Sequence, residues 1–208
     1  MAKVLDRPTE SEMEAEPPEE TPTMLEAYRA VCTYLPDHRV ELVDGRIVVN
    51  PVPTDDHNDI VSFLILLIAG TVAERGWRIW TNIKCFLGSQ EERYIPDLAI
   101  VPRDRRMWGK DHVYGDSTLL AVEVVSPSSV HDDYVIKPDN YACGGVPLYL
   151  LIDPMKGIVR LYSNPSKTGY RQQNEVPFGE ALELPEPWNL TMDTGELVEP
   201  EPSAGEGE

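Results

Sequence analysis

Two short apolar stretches constrain this chain more than anything else in it. The first is I-P-D-L-A-I-V-P, residues 95–102, and the second is L-L-A-V-E-V-V-S-P-S-S, residues 119–129. Each is aliphatic, β-branched and bounded by proline, the pattern of a strand buried inside a sheet. Each also carries one carboxylate where such a strand should carry none: Asp97 opens the first and Glu123 sits inside the second. A lone ionised carboxylate in an apolar interior is costly, so it must be paired, protonated, hydrogen-bonded or bound to a metal. Asp97 by itself fits a strand start or turn as well as a ligand position. Glu123 lies between Val122 and Val124, and a central strand is the better reading of that run than an exposed edge. The pair is read as sharing one divalent metal.

That chemistry has to sit within one domain. With 208 residues, 41% of them hydrophobic, the chain can bury a single sizeable core. The net charge of −18 is concentrated at the ends: residues 1–23 hold seven acidic and two basic residues, and residues 193–208 hold six acidic and no basic ones. Both ends are rich in Pro and Glu and poor in apolar residues. They are expected to be disordered acidic tails around a domain of residues 24–192. The acidity that remains argues against a broad phosphate-binding face, which would need Lys and Arg. It leaves room for a metal or a local basic rim.

Cys32, Cys85 and Cys143 are widely spaced without a C-x-x-C, so neither a disulfide framework nor a zinc knuckle follows. The N-terminus lacks the basic-then-apolar form of a secretory leader. The apolar run of residues 60–73 is shorter than the roughly twenty residues a bilayer requires. A cytoplasmic protein with no membrane role is expected.

Along the chain, Thr23 is a candidate cap for a helix over residues 24–34 that Pro36 closes. Apolar runs on either side of Asp44-Gly45 predict a hairpin over residues 40–50, with Glu41 on its first strand. A helix of about twenty residues then runs from Thr54, Asp55 or Asp56 to Arg75, apolar nearly all round and therefore expected to be buried. Residues 77–80 and 83–87 read as strands. Residues 103–112 read as a polar loop holding four of the eighteen Lys and Arg residues. It is either a solvated connection or a phosphate-touching rim formed by Arg103, Arg105 and Arg106, with Trp108 to stack on a base. A helix is expected over residues 132–143, a strand over 147–154, and a final hairpin through Gly169-Tyr170. Together these indicate an α/β (α+β) fold with a mixed central β-sheet flanked by helices.

Phosphodiester hydrolysis needs an activated water and stabilisation of charge on the phosphate and the leaving oxygen. A divalent ion held by carboxylates supplies both, and magnesium needs few protein ligands because it keeps several waters. The order P-D-L-A-I-V-P, then A-V-E-V-V-S-P-S-S, then D-Y-V-I-K-P-D-N-Y with G-G-V-P-L-Y-L-L-I-D-P resembles the Uma-type restriction endonuclease family of the PD-(D/E)xK nuclease superfamily. The V-E-L-V-D-G-R-I hairpin and His57 match the same family's upstream pattern, so the resemblance covers about residues 24–190.

It implies a restriction-endonuclease-like fold acting on DNA with Mg2+ or Mn2+. Asp97, Glu123 and the backbone carbonyl of Val124 would be ligands, and Glu41 would complete the acidic cluster. The superfamily's lysine two residues beyond the glutamate is absent, since Val125 stands there; the resemblance points instead to Lys137. On a helix, Asp133, Lys137 and Tyr141 share one face. Pro138 follows Lys137 directly, so a helix there either begins at the proline or kinks. A two-fold homodimer is a further implication.

Other chemistries lack their signatures. The serines at 126, 128 and 129 have no G-x-S-x-G context, and His38, His57, His112 and His131 form no zinc pattern. A lone His near a helix start, as His57 is, is ordinarily a cap or surface group. Two alternatives to the nuclease remain open. One is a catalytically degenerate nuclease fold that binds nucleic acid or protein without cutting, and the other is a set of carboxylates that are simply salt-bridged.

Overall fold

The computed structural model describes residues 22–88 and 92–197. It opens with α1 (Met24–Tyr34), where Thr23 accepts the Glu26 N–H and the Glu26 carboxylate accepts the Thr23 N–H at 2.8 Å, a reciprocal cap. The strands β1 (Arg39–Val43) and β2 (Arg46–Asn50) form the expected hairpin. Asp44 and Gly45 take φ values of 47° and 68°, the left-handed geometry that a two-residue turn demands. The long helix α2 (Asp55–Glu74) is capped by Thr54.

The strands β3 (Arg78–Trp80), β4 (Lys84–Phe86), β5 (Arg93–Tyr94) and β6 (Leu98–Val101) follow, then the short pair β7 (Met107–Trp108) and β8 (His112–Tyr114), and then β9 (Leu120–Val124). A π turn, Asp132–Ile136, leads into α3 (Lys137–Cys143). The strands β10 (Leu148–Asp153), β11 (Ile158–Ser166) and β12 (Gly169–Pro177), with the small hairpin β13 (Ala181–Leu184) and β14 (Leu190–Asp193), complete the fold.

The mixed sheet runs β12-β11-β10-β9-β6-β3, with β9 and β10 parallel and the other pairs antiparallel. A second six-stranded sheet, β2-β1-β5-β4-β8-β7, lies against it; the sequence pattern indicates only one. Alternation along the strands divides the core in two. Leu98, Ile100, Leu120, Val122, Leu150 and Ile152 pack under α2 and the β13–β14 hairpin. Val101, Ala121, Val125, Tyr149 and Leu151 face the second sheet and α3, meeting Val43, Cys85, Tyr94, Val113 and Tyr141.

Several expectations need correction. The helix α2 is not buried all round: Leu64, Ile68 and Val72 pack on the sheet, while Leu66 is 79% exposed. At twenty residues α2 is also long and apolar enough to cross a membrane by length and composition, which the shorter apolar run inside it does not suggest. Its i, i+4 ridge on the central sheet is equally the mark of a core helix. Residues 103–112 are not all loop, because they fold into β7 and the start of β8. The domain also continues past residue 192: Asp193 ends β14, Thr194 is buried, and Gly195–Leu197 forms a 3-10 turn. The remaining parts of the two acidic ends, residues 1–21 and 198–208, lie outside the described residues.

Candidate active site

The register of β6 against β9 decides where the two carboxylates go. Leu98 pairs with Val122 and Ala99 with Ala121, so one step further Asp97 stands opposite Glu123 on the face turned toward the second sheet and α3. Like charges directly across a strand pair repel. The fold answers by bringing Arg39, His57 and Lys137 from three other elements into a hollow of about 80 Å³, lined also by Glu41, Asp97, Glu123 and Asp133.

Asp97 is held from two sides. Its Oδ1 accepts Arg39 Nη1 at 2.9 Å, and its Oδ2 accepts the Val124 backbone N–H at 2.9 Å and lies 3.1 Å from His57 Nε2. Burial would raise its carboxyl, but the His57 hydrogen bond and the Arg39 and His57 charges outweigh that and hold it at about 2. Arg39 is pulled down by burial and pushed up more strongly by Asp97 and Glu123, so it stays charged.

Glu123 is enclosed more fully. Its Oε1 accepts Lys137 Nζ at 2.9 Å and the Tyr141 hydroxyl at 2.9 Å. Burial pushes its carboxyl well above the usual range, against the pull of Lys137. Lys137 also meets Asp133 Oδ1 at 2.8 Å; burial opposes its charge, but Glu123, Glu41 and Asp133 hold its ammonium well above the ordinary lysine value. Asp133 is raised, chiefly by burial. Glu41 projects from the same face of β1 as Arg39, accepting the Ile95 N–H at 2.6 Å and the Asn50 side-chain N–H.

Pro138 does not misdirect Lys137. The π turn widens the chain just before the proline and lets it sit in the first turn of α3, with the Lys137 N–H bonded to the Asp132 carbonyl. Lys137 is consequently buried, 5% exposed, and its ammonium reaches the carboxylates.

The hollow therefore unites Glu41, Asp97, Glu123, Val124 and Lys137. Arg103, Arg105, Arg106 and Trp108 do not line it. Arg105 stacks over Trp80 at 4.5 Å, Arg106 pairs with Asp116, and Trp108 stacks on Phe86 at 5.1 Å between ring centroids. Sequence reasoning misses Arg39 and Asn50 as members, places Asp133 only on the helix face of Lys137, and takes His57 for a cap or surface group. Arg39 is within reach of pattern reasoning, since residues i and i+2 on a strand share a face and Glu41 is a candidate already. Asn50 follows from the hairpin register, which pairs it with Arg39.

The donor set bears on a metal in two ways. Four carboxyl groups, Glu41, Asp97, Glu123 and Asp133, line the hollow with Arg39, Lys137 and His57. The buried Arg39 Nε and His57 Nδ1 have no partner among the described residues, so the hollow has polar capacity left for water or a ligand. Its volume is several times the roughly 10–15 Å³ that one water needs. However, among the described residues no three His, Cys, Asp or Glu side chains already stand in a ligating array, because Asp97 and Glu123 are engaged by Arg39, His57, Lys137 and Tyr141. The donor chemistry, four carboxyl groups with the Val124 backbone beside them, fits an oxygen-seeking divalent ion.

The family model Uma2, described as "Putative restriction endonuclease", matches residues 25–195. The chain belongs to the Uma2 family. The crystal structure of a putative nuclease belonging to DUF820 from Anabaena variabilis superimposes with a TM-score of 0.64 at 19% identity, covering 85% of this chain and 97% of that one. That likeness shows that the Uma2 chain shares its fold. No curated protein matches the chain.

Proposed function

We propose that this Uma2 protein is a Mg2+- or Mn2+-dependent endonuclease that hydrolyses phosphodiester bonds in DNA. The observation that carries the reading is the facing pair Asp97 and Glu123 in a hollow lined by four carboxyl groups, with a buried ammonium beside them. Asp97, Glu123 and the Val124 carbonyl would hold the ion, with Glu41 in support. The Val124 N–H already turns to Asp97, and a strand residue's carbonyl faces the same neighbour as its N–H. When bound, the ion would lower the pKa of water and offset charge on the phosphate.

Lys137 remains protonated among its carboxylates, so its role is to donate. It orients the attacking water and stabilises negative charge, and it does not remove a proton. Arg39 and His57 keep Asp97 ionised and fixed in direction. Cutting both strands of a duplex would use two such hollows, one from each copy of a two-fold dimer.

A second reading is favoured by the same ion pairs. With Asp97 and Glu123 this fully engaged, the chain binds nucleic acid or a protein partner and does not cleave. Calorimetry with Mg2+ and Mn2+, alongside cleavage of plasmid and oligonucleotide DNA, separates the two. Metal binding and cleavage that both vanish in Asp97→Ala and Glu123→Ala support the nuclease. Metal binding without cleavage supports the second reading, and no metal binding removes the first.

A further inference from the structure

The acidic hollow does not end at its own rim. It shares Arg39, Pro53, His57 and Asp97 with a second depression of about 150 Å³, which continues to Thr81 and Asn82. Asn82 in turn lines a third depression, of about 170 Å³, between the C-terminal end of α1 and Lys84 and Asp111. Cys32 and Lys84 belong both to that one and to a fourth, of about 420 Å³, bounded by Tyr28, Arg29, Arg93, Trp108 and His112. Four depressions, linked by shared residues, thus lead from the carboxylates around the edge of β1 and beneath α1.

Beyond the acidic hollow itself, the charge of this track is opposite to that of the chain. Arg39, Lys84, Arg29 and Arg93 line it with three imidazoles, His57, His38 and His112, whereas its carboxylates are Asp97 and Asp111. This excess of cations belongs to a protein whose net charge is −18. Asp111 pairs with Lys84 at 3.4 Å and is itself 63% exposed, which leaves the lysine able to exchange partners with an incoming anion. Arg29 is exposed on α1. At the far end Trp108 packs against Phe86 with Arg93 over both rings, and its side chain remains 40% exposed. Cations spaced along a groove that ends in a partly exposed indole are the elements of single-strand recognition, in which phosphates follow the charges and a base stacks on the ring.

We propose that this groove binds a single strand of DNA flanking the scissile phosphate, with Lys84 and Arg29 against its backbone and Trp108 beneath one of its bases. The inference rests on the nuclease reading of the hollow and specifies the form of its substrate. It also gives Trp108 the stacking role that is one of the two readings of its segment in the sequence, while Arg105 and Arg106 are spent on Trp80 and Asp116.

The test is anisotropy of a fluorescein-labelled oligothymidylate and of a duplex of equal length, on the full chain with EDTA present to stop cleavage. Arg29→Glu, Lys84→Gln and Trp108→Ala are compared with wild type, their melting temperatures checked. Arg29 is exposed on its helix, so its variant keeps the test valid should Lys84→Gln melt early. The expected result is tighter binding of the single strand than of the duplex. Affinity should fall about tenfold in Arg29→Glu, and the log-log salt slope should become shallower by about 0.7 for each phosphate no longer neutralised. Calorimetric Mg2+ binding at the hollow should be unchanged in all three. Wild-type affinity in all three variants, with cleavage intact, overturns the groove alone, as does a preference for duplex. Absence of any single-strand binding by the wild type also overturns the groove, and the nuclease reading falls only if metal binding and cleavage are absent as well.

Discussion

Replacing Lys137 by methionine keeps the length of the side chain and removes its charge. The ammonium lies 2.9 Å from Glu123 and 2.8 Å from Asp133, with all three side chains no more than 6% exposed. Removing one member of a buried ion pair leaves its partners desolvated and unpaired, which costs about 3–5 kcal/mol. For a domain of this size that corresponds to a fall of roughly 6–20 °C in Tm.

The deficit should depend on pH, and its sign follows from the partners. Glu123 and Asp133 are both raised by burial, so the folded state holds protons that the unfolded chain has released. Stability therefore falls as pH rises from the unfolded values toward the folded ones, and more steeply once the ammonium is gone. Lys137→Met should be most destabilised near neutrality and should recover as pH falls toward the ordinary glutamate value of 4.5. Urea unfolding followed by tryptophan fluorescence, at about pH 7.5 and about pH 5, measures both effects. A loss under about 1 kcal/mol at both values, or a deficit that grows on acidification, would refute the buried triad as the structure draws it.

Asp97→Asn should flatten acid unfolding. The Asp97 carboxyl is held at about 2, below its usual 3.8, so its contribution of about 2 kcal/mol is complete above the usual value and lost as pH falls through the lower one; a stability–pH curve that keeps its slope below pH 3.8 in the variant contradicts this. On α2, Leu64→Ala should cost about 2–5 kcal/mol and Leu66→Ala less than about 0.5 kcal/mol, because only the first packs on the sheet; equal losses in urea titrations would place the helix wrongly. Thr23→Ala removes the side-chain half of the α1 cap and should cost about 1 kcal/mol, read by thermal melting, with Thr23→Ser recovering most of it.

How much of this is legible in the sequence depends on whether the information is local. The α1 cap, the Asp44-Gly45 turn and the start of α2 at Thr54 depend on neighbours three residues away or fewer, and the structure has them where the pattern puts them. Burial of α2 is a tertiary fact. The helix is apolar on several sides, but the sheet offers it a single surface, and Leu64, Ile68 and Val72 occupy it. The second sheet is illegible for a similar reason: β5, β7 and β8 are two or three residues long and acquire their identity only from the strands beside them.

The site divides along the same line. Asp97 and Glu123 stand out because each violates the apolar pattern of its own strand, which a one-dimensional reading can detect. Arg39 and His57 violate nothing locally: an arginine at a strand edge and a histidine in a first helical turn are ordinary. What sets them apart is that two elements, β1 and α2, converge on one carboxylate, and no spacing rule reports that convergence. Pro138 is the converse case, a residue whose local rule is true and whose consequence differs. Proline disfavours a regular helix through Lys137, and the chain satisfies that constraint with a π turn that brings the lysine inward. The departure from helical regularity is therefore part of what brings the ammonium to Glu123, so Pro138→Ala, which permits a regular helix, should loosen that ion pair. Urea unfolding across the same pH range is the check: if Pro138→Ala draws Lys137 away, its stability curve should shift toward that of Lys137→Met, and a curve identical to wild type would show that the proline merely tolerates the turn.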